Sequence, residues 1–372
     1  MSTDRLTLSM ACCKYDRCNA LFDGRSRVDG VNLISTPLEP EEAFHRAFQT
    51  QEFDISELSL SSFTMLTSRG EAPYIGIPAF VSRLFRHSGI YIRTDRGIDH
   101  PSKLSGLTIG LPEYQITASV WIRGILEDEY GVRNESVKWR QGGLEDPGRE
   151  ERARLDLPAS IDLKPIPSDR SLSDMLENGE IDALISARAP SCYLRGAKNV
   201  DRMFPDFRST EQDYFRRTKI FPIMHIIGIR RSIHETHPWV AVNLLKAFIE
   251  AKSHVMYELG QIGHLFSTLP WSVAEFQQTV DLMGADFWSY GVPENRAVLE
   301  TFLGYHHRQG LSKRLVGVDE LFAPSTLHLS RIRLPYNRRS FLAFPPRSFA
   351  LSSGEICSVL IQSMPSWFTT KG

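Results

Sequence analysis

Two arginines and a histidine fall close together in one predicted loop, Arg83-Leu-Phe-Arg86-His87-Ser-Gly89, between two apolar segments. A guanidinium binds a carboxylate through paired hydrogen bonds, and an imidazole transfers a proton near neutral pH. This combination predicts a site for an acidic substrate that undergoes proton transfer. A solvated basic loop has the same composition, and the spacing leaves both interpretations open.

A second candidate site lies at a predicted strand-to-helix junction, Gly110-Leu-Pro-Glu-Tyr-Gln-Ile-Thr117. Free backbone N–H groups and the helix dipole favour an anion at such a helix N-terminus. Thr117 is the predicted cap, and Ser61 begins another predicted helix. Thr117, Gln115 and Ser61 are substrate-binding candidates. A carboxyl near bound anions keeps its proton, so Glu113 is a candidate general acid. An exposed Glu113 that only complements the helix dipole is equally consistent with the sequence.

Two further candidates lie at the ends of apolar strands. Arg188 follows the predicted strand 183–186, and ligands of open α/β sheets bind at the carboxyl ends of strands. His225 opens the apolar segment 223–229, from which it could face the same cleft. A structural ion pair for Arg188 and a core position for His225 remain the alternatives.

Several classes of chemistry lack their sequence signatures. The chain contains no G-x-G-x-x-G motif at a helix start, no P-loop, no G-x-S-x-G and no H-E-x-x-H. Cys12, Cys13 and Cys18 lack the second pair that a zinc ribbon needs, so they are interpreted as free thiols. Nucleotide-dependent chemistry and serine hydrolysis are disfavoured, and no cofactor or metal is predicted.

The elements that position these residues alternate between strands and helices. Short apolar runs predict strands over 6–12, 31–34, 53–58, 75–81, 89–93, 108–111, 183–186 and 223–229. Helical patterns with start and stop signals cover 117–130, 172–178 and 238–256. This alternation predicts an α/β fold with mainly parallel sheets. After Arg93 the chain begins again with its own strand–turn–helix unit, which indicates a second lobe.

The 372 residues carry a net charge of −1, which gives no indication of a nucleic-acid or membrane partner. No apolar run reaches about 18 residues, and no secretory signal is recognised at the N-terminus, so a cytoplasmic location is predicted. The segment from Ser325 holds six basic residues and one acid, so the rest of the chain has a net charge of −6. An acidic body that binds an acidic substrate must concentrate positive charge in its site.

Nine segments in a fixed order give the sequence a family resemblance. They are residues 83–91, 110–118, 182–190, 214–225, 237–239, 286–291, 295–296, 310–313 and 320–324. Together they resemble 4,5-dihydroxyphthalate decarboxylase and its relatives over residues 6–324. The chain continues beyond the point where those relatives stop.

The resemblance implies a type II periplasmic-binding-protein-like fold, in which two α/β lobes are joined by two crossovers around a cleft. Residues 1–93 plus 222–324 would form lobe 1, and residues 94–221 would form lobe 2. Residues 325–372 are predicted to be a basic, poorly ordered tail. The implied reaction removes one carboxylate from a dihydroxylated aromatic ring and yields protocatechuate and CO2.

Such a reaction needs cationic clamps, an acid near the ring carbon and a dry cleft. We expect Arg83 and Arg188 to be the clamps and His87 or Glu113 the acid, with His225 in reserve. The partner is a small aromatic carboxylate, neither nucleic acid nor membrane, and a homo-oligomer is left open. Two other functions also remain open: a solute-binding protein of the same fold, and a metal-assisted lyase that uses His87, Glu113 and His225.

Overall fold

The computed structural model describes residues 5–151 and 154–329, which contain two β-sheets surrounded by helices. Strands and helices are numbered in chain order. The first sheet has five strands, β1 (Leu6–Cys12), β2 (Val31–Pro37), β3 (Ile55–Ser59), β4 (Tyr74–Arg83) and β11 (Ile223–Arg230). Their order is β2-β1-β3-β11-β4. β1 is parallel to β2 and β3, whereas β11 is antiparallel to β3 and β4.

The second sheet has six strands. They are β5 (Ile90–Arg93), β6 (Thr108–Leu111), β7 (Lys138–Gln141), β8 (Asp162–Pro165), β9 (Ala183–Ile185) and β10 (Val200–Arg202). Their order is β10-β5-β9-β6-β7-β8. β6, β7, β8 and β9 are parallel, and β5 is antiparallel to both of its neighbours.

The chain crosses between the sheets twice, after β4 and before β11. The strand Ile90–Arg93, which the predicted boundary places in lobe 1, is hydrogen-bonded into the second sheet. The first crossing therefore lies within residues 84–89 rather than after Arg93. The described residues belong to one compact unit, so the division into lobes stays a prediction.

Eleven α-helices connect and cover the strands in the described ranges. They are α1 (Asn19–Phe22), α2 (Pro40–His45), α3 (Leu60–Arg69), α4 (Thr117–Tyr130), α5 (Leu172–Asn178), α6 (Ser191–Leu194), α7 (Phe207–Thr218), α8 (Arg231–Thr236), α9 (Trp239–Leu259), α10 (Ser272–Met283) and α11 (Val292–Arg308). None of these described helices is long and apolar enough to cross a membrane.

Helix α4 is the element that joins the core to the site. It packs closely against α11, where a Cβ on Gly124 would overlap the ring of Tyr305. Trp121 lies next to Phe302, with ring centroids 5.4 Å apart, and donates its indole N–H to the Ile223 carbonyl. A well-packed core of this kind fixes the helix axis, and so it fixes the position of the helix N-terminus.

The predicted α/β class with two sheets is confirmed. Predicted bounds match for β1, β6, α4 and α5. The prediction of mainly parallel sheets was only partly right, because β5 and β11 run antiparallel to their neighbours. Three strands, β7, β8 and β10, were missed. The predicted tail lies outside the described residues from residue 330 onward.

Candidate active site

The N-termini of α3 and α4, which follow strands of different sheets, meet in a buried hydroxyl network. The Thr117 Oγ1 lies 3.0 Å from the Ser59 Oγ and accepts a hydrogen bond of 3.1 Å from the Ser61 N–H. The His306 Nε2 lies 3.1 Å from the Ser61 Oγ, and burial lowers the pKa of His306 to about 3. Ser61 and Thr117 are therefore brought together, with the Thr117 hydroxyl bonded within the protein, and neither residue lines the pocket described next. Thr117 is the first residue of α4 rather than its predicted cap, because Ile116 holds the cap position and the Thr117 hydroxyl bonds to α3 instead.

A pocket of about 330 Å³ lies beside the start of α4. Four regions contribute to it: α2, the junction between β6 and α4, the loop after β7, and the segment after β9. The lining residues are Glu41, Pro112, Ile116, Ser119, Gly143, Leu144, Glu145, Asp146, Pro147, Gly148, Arg149, Ser186, Ala187 and Arg188. The pocket thus lies at the carboxyl ends of β6, β7 and β9, where open α/β sheets bind ligands.

Arg149 carries positive charge into this pocket, and sequence reasoning missed it. Its Nε lies 2.8 Å from the Glu113 Oε1, and its Nη2 lies 3.3 Å from the Glu41 Oε2. Burial alone would lower the pKa of Arg149, but the two carboxylates raise it, so the guanidinium stays charged. The residue lies in the polar Gly-rich segment after β7, whose composition indicated only an irregular excursion.

Glu113 is buried and accepts hydrogen bonds from Arg149. A carboxylate bound to a guanidinium accepts hydrogen bonds and donates none. This geometry therefore favours Glu113 as an anchor that holds Arg149. Its predicted role as an acid stays a prediction. The neighbouring Glu151 was not predicted; burial first, and the charge of Glu113 in addition, raise the pKa of Glu151 to about 7.

Arg188 lines the pocket as predicted for a clamp. It is exposed, and its backbone N–H donates to the Ser186 Oγ at 3.2 Å. No carboxylate in the described part of the chain forms an ion pair with its guanidinium. Gln115, in the junction between β6 and α4, is buried and does not line the pocket, and its Oε1 has no hydrogen-bond partner among the described residues. Arg188 is thus available for a substrate carboxylate.

Arg83 lies elsewhere, in the core between β4 and α11. Its guanidinium donates to the Phe221 carbonyl at 3.0 Å, to the Ser289 carbonyl at 2.8 Å and to the Asn295 Oδ1. Burial lowers the pKa of Arg83 to about 9. Since these acceptors occupy both terminal nitrogens and Arg83 does not line the pocket, the geometry favours a structural role over the predicted clamp.

His87 is also apart from the pocket lining. Its ring is buried against Phe204 and Tyr214, with centroid distances of 5.4 and 5.2 Å. Burial first, and then the charge of Arg217, lower the pKa of His87 to about 4. The imidazole is therefore neutral at pH 7, and its role as a proton donor stays a prediction.

His225 forms the most developed acid–base arrangement in the described chain. Its Nδ1 lies 2.7 Å from the Glu57 Oε1, which also accepts a hydrogen bond of 2.8 Å from the Tyr15 hydroxyl. The Glu57 Oε2 accepts the Cys13 N–H at 2.8 Å. Burial would raise the pKa of Glu57, but the hydrogen bond and charge of His225 lower it overall. Glu57 was not predicted; its one signal is an acid inside the apolar strand β3.

The described donor side chains do not form a metal site. No group of three His, Cys, Asp or Glu side chains among residues 5–151 and 154–329 is arranged to hold a metal ion. The three residues of the predicted metal-assisted alternative lie in different surroundings: His87 among aromatic rings, Glu113 on Arg149, and His225 on Glu57.

Comparison with known proteins decides the family. The chain is 44% identical over 328 residues to the 4,5-dihydroxyphthalate decarboxylase of Comamonas testosteroni. The aligned residues cover 88% of this chain and 99% of that protein. The chain belongs to the 4,5-dihydroxyphthalate decarboxylase family. A second 4,5-dihydroxyphthalate decarboxylase, from Pseudomonas putida, is 45% identical over 213 residues, 57% of this chain and 83% of that protein. The predicted family resemblance is confirmed, and no protein-family model matches the chain.

Solved structures with similar folds have low sequence identity to this member of the 4,5-dihydroxyphthalate decarboxylase family. The periplasmic aliphatic sulphonate binding protein SsuA from Escherichia coli has a TM-score of 0.49 and 11% identity, over 87% of this chain and 99% of that one. The desulfurization enzyme DSZB has a TM-score of 0.44 and 14% identity, over 87% and 98%.

Proposed function

We propose that this chain is a carboxy-lyase that converts 4,5-dihydroxyphthalate to protocatechuate and CO2. The observation that carries the proposal is the 44% identity to a 4,5-dihydroxyphthalate decarboxylase along 99% of that relative. The pocket supports it, because its volume of about 330 Å³ falls in the range of small-ligand sites. Arg188 and Arg149 supply positive charge for a substrate that bears two carboxylates.

The reaction requires a proton at the ring carbon that bears the leaving carboxylate. The ring hydroxyls donate electron density to that carbon, which takes a proton from an acid on the enzyme. The carbon–carbon bond then breaks, its electron pair restores the aromatic ring, and CO2 leaves. The enzyme contributes orientation, positive charge for the carboxylates and a positioned acid.

Arg188 is the group in the pocket that can bind a substrate carboxylate directly, since its guanidinium has no carboxylate partner among the described residues. Arg149 is held in a fixed position by Glu113 and Glu41, whose carboxylates offset its charge. Ile116 and Ser119 at the start of α4 line the pocket, and a helix N-terminus favours an anion. Arg188 and this helix start therefore support the binding of a dianion.

The test is an assay of the purified full chain with 4,5-dihydroxyphthalate, in which CO2 release and the ultraviolet spectrum are followed together. Phthalate is the matched control substrate, because it keeps both carboxylates but lacks the hydroxyls that donate electron density. We expect turnover of the dihydroxylated compound and none of phthalate. Binding of both compounds without CO2 release would overturn the proposal and favour a solute-binding function.

A parallel incubation with a chelator addresses the metal-assisted alternative. Turnover that is unchanged by the chelator is expected if the chain's own acid supplies the proton. Turnover that is lost with the chelator and restored by a divalent metal would replace this mechanism by a metal-assisted one. The cytoplasmic location and the oligomeric state stay predictions.

A further inference from the structure

We propose that His225 donates the proton to the ring carbon and that Glu57 is the positioning residue that holds His225 for this step. This inference rests on the proposed decarboxylation and adds to it the identity of the acid. It starts from the contacts of Glu57, a carboxylate that the sheet buries completely.

A buried carboxylate is costly unless hydrogen bonds and a positive partner compensate for it. Glu57 accepts hydrogen bonds from Tyr15, Cys13 and His225. In the described part of the chain no arginine or lysine forms an ion pair with it. The imidazolium of His225 is therefore the positive partner of Glu57 when His225 is protonated.

The hydrogen bond also fixes which nitrogen of His225 can react. An ionised carboxylate only accepts hydrogen bonds, so the Nδ1 of His225 must carry a hydrogen toward Glu57. The Nε2 is therefore the ring nitrogen that can exchange a proton with the substrate, and the side chain is 17% exposed. A carboxylate that orients a histidine in this way selects the tautomer and stabilises the imidazolium.

The register of the first sheet places the His225 ring on the same sheet face as Ser59, near the start of α4, although His225 is not itself among the pocket-lining residues. His225 lies directly opposite Ser59, so their side chains share one face of the sheet, and Glu57 shares it because it lies two residues from Ser59. The Ser59 Oγ bonds to Thr117 at the start of α4. The pocket lies beside that same helix start.

Helix α2 gives a second connection to the pocket. The ring of Phe44 meets the His225 ring edge-on, with centroids 4.8 Å apart. Glu41, which lines the pocket, lies three residues before Phe44, and residues at this spacing are neighbours on one helix face. The His225 ring thus lies along the face of α2 that borders the pocket.

In the step that we propose, the Nε2–H bond of the His225 imidazolium breaks and a C–H bond forms at the ring carbon that bears the carboxylate. The bond from that carbon to the carboxylate then breaks, its electron pair returns to the ring, and CO2 is released. His225 is left neutral, Glu57 remains a carboxylate, and one proton from solvent restores the imidazolium. No oxidant, reductant or other co-reactant is needed.

Three other groups that face this pair keep their protons near neutral pH: the thiols of Cys12 and Cys13 at the end of β1 and the Tyr15 hydroxyl in the following turn. The carboxylate of Glu39, at the start of α2, acts on Cys13. Burial, followed by the charge of Glu57, raises the pKa of Cys13 and of Tyr15.

The experiment compares Glu57→Gln with the matched control Asp54→Asn in the full chain. Asp54 is a second carboxylate beside the same strand, where it accepts the Ser9 N–H at 2.9 Å and pairs with Arg230. For E57Q we expect kcat to fall by about 10²-fold with KM within about threefold, because the acid is mispositioned and substrate contacts are kept. D54N should change kcat by less than about threefold.

A pH profile separates positioning from a structural effect. Without the negative charge of Glu57 the imidazolium is less stable, so the loss of activity with rising pH should begin at lower pH in E57Q than in wild type. D54N should keep the wild-type profile. An E57Q profile and kcat that match those of D54N would overturn the proposal.

A second variant covers the case in which E57Q does not fold. His225→Ala should lose at least about 10²-fold in kcat and regain activity when imidazole is added. Wild-type turnover in H225A would overturn the inference while leaving the decarboxylase function intact. If wild type itself releases no CO2, the proposed function fails first, so the two failures are distinguishable.

Discussion

The contact between Arg149 and Glu113 predicts a large and specific coupling in stability. Arg149→Gln removes the guanidinium from a carboxylate whose side chain is 1% exposed. Glu113→Gln removes the opposite charge and leaves Arg149 next to Glu41. The double variant removes both charges together, and so it leaves no charge of this pair in the buried site.

The burial of each partner sets the expected magnitude. Removing one member of a buried ion pair typically costs about 3–5 kcal/mol when the remaining charge has no other partner. Glu113 keeps a further interaction and Arg149 keeps Glu41, so smaller losses follow. Arg149 is 30% exposed, and water screens part of the interaction. We therefore expect the free energy of unfolding to fall by about 2 kcal/mol in R149Q and about 1 kcal/mol in E113Q. The double variant should lose about 1.5 kcal/mol, which gives a coupling of about 1.5 kcal/mol.

Urea denaturation of the four proteins, followed by circular dichroism, measures these values. Losses in the single variants that add to the loss in the double variant within about 0.5 kcal/mol would refute the argument. The E113Q preparation also tests the predicted role of Glu113 as the acid. That role requires kcat to fall by about 10²-fold, whereas an anchor for Arg149 allows a much smaller loss.

Three further predictions concern residues of the site and its surroundings. Arg188→Gln should raise KM for 4,5-dihydroxyphthalate by about tenfold or more with kcat nearly unchanged. Arg195→Gln on the surface is the control. Equal KM values for R188Q and R195Q would contradict the role of Arg188 as a clamp. Thr117→Val, which removes the hydroxyl bonded to Ser59, should lower the free energy of unfolding by about 1–2 kcal/mol in urea titrations. Thr117→Ser keeps the hydroxyl and should retain most of the wild-type free energy of unfolding. The pKa of His87 is about 4, so the unfolded chain binds a proton that the folded chain does not between pH 6.5 and 4. Stability should therefore fall as pH falls through that range, and less steeply in His87→Phe; an unchanged slope would contradict the burial argument.

Strands and helices were predictable where the local sequence pattern agrees with the burial of the side chains in the structure. Helix α4 has Thr117 at its start and Gly131, with φ of 69°, directly after its end, so both bounds follow from the sequence. The missed strands β7 and β8 are short and polar, Lys138–Gln141 and Asp162–Pro165. They form because they pair with each other and with β6, and such pairing is not visible in a local pattern.

The site was predictable where a strand or helix end fixes a residue's surroundings. Arg188 and Thr117 belong to this class, because strand ends and helix starts converge on one edge of a sheet. Glu57 does not, since its partner His225 is 168 residues away along the chain. The surroundings of Arg83 were hidden for the same reason, because its acceptor Asn295 is 212 residues away along the chain. Its role as a clamp stays a prediction.

The most direct test of the central claim is the reaction of the purified chain with 4,5-dihydroxyphthalate in D2O, followed by mass spectrometry and proton NMR. The account predicts one CO2 for each protocatechuate formed, with a single deuterium at the ring carbon that carried the carboxylate. Recovery of unchanged 4,5-dihydroxyphthalate after incubation with folded protein would contradict it.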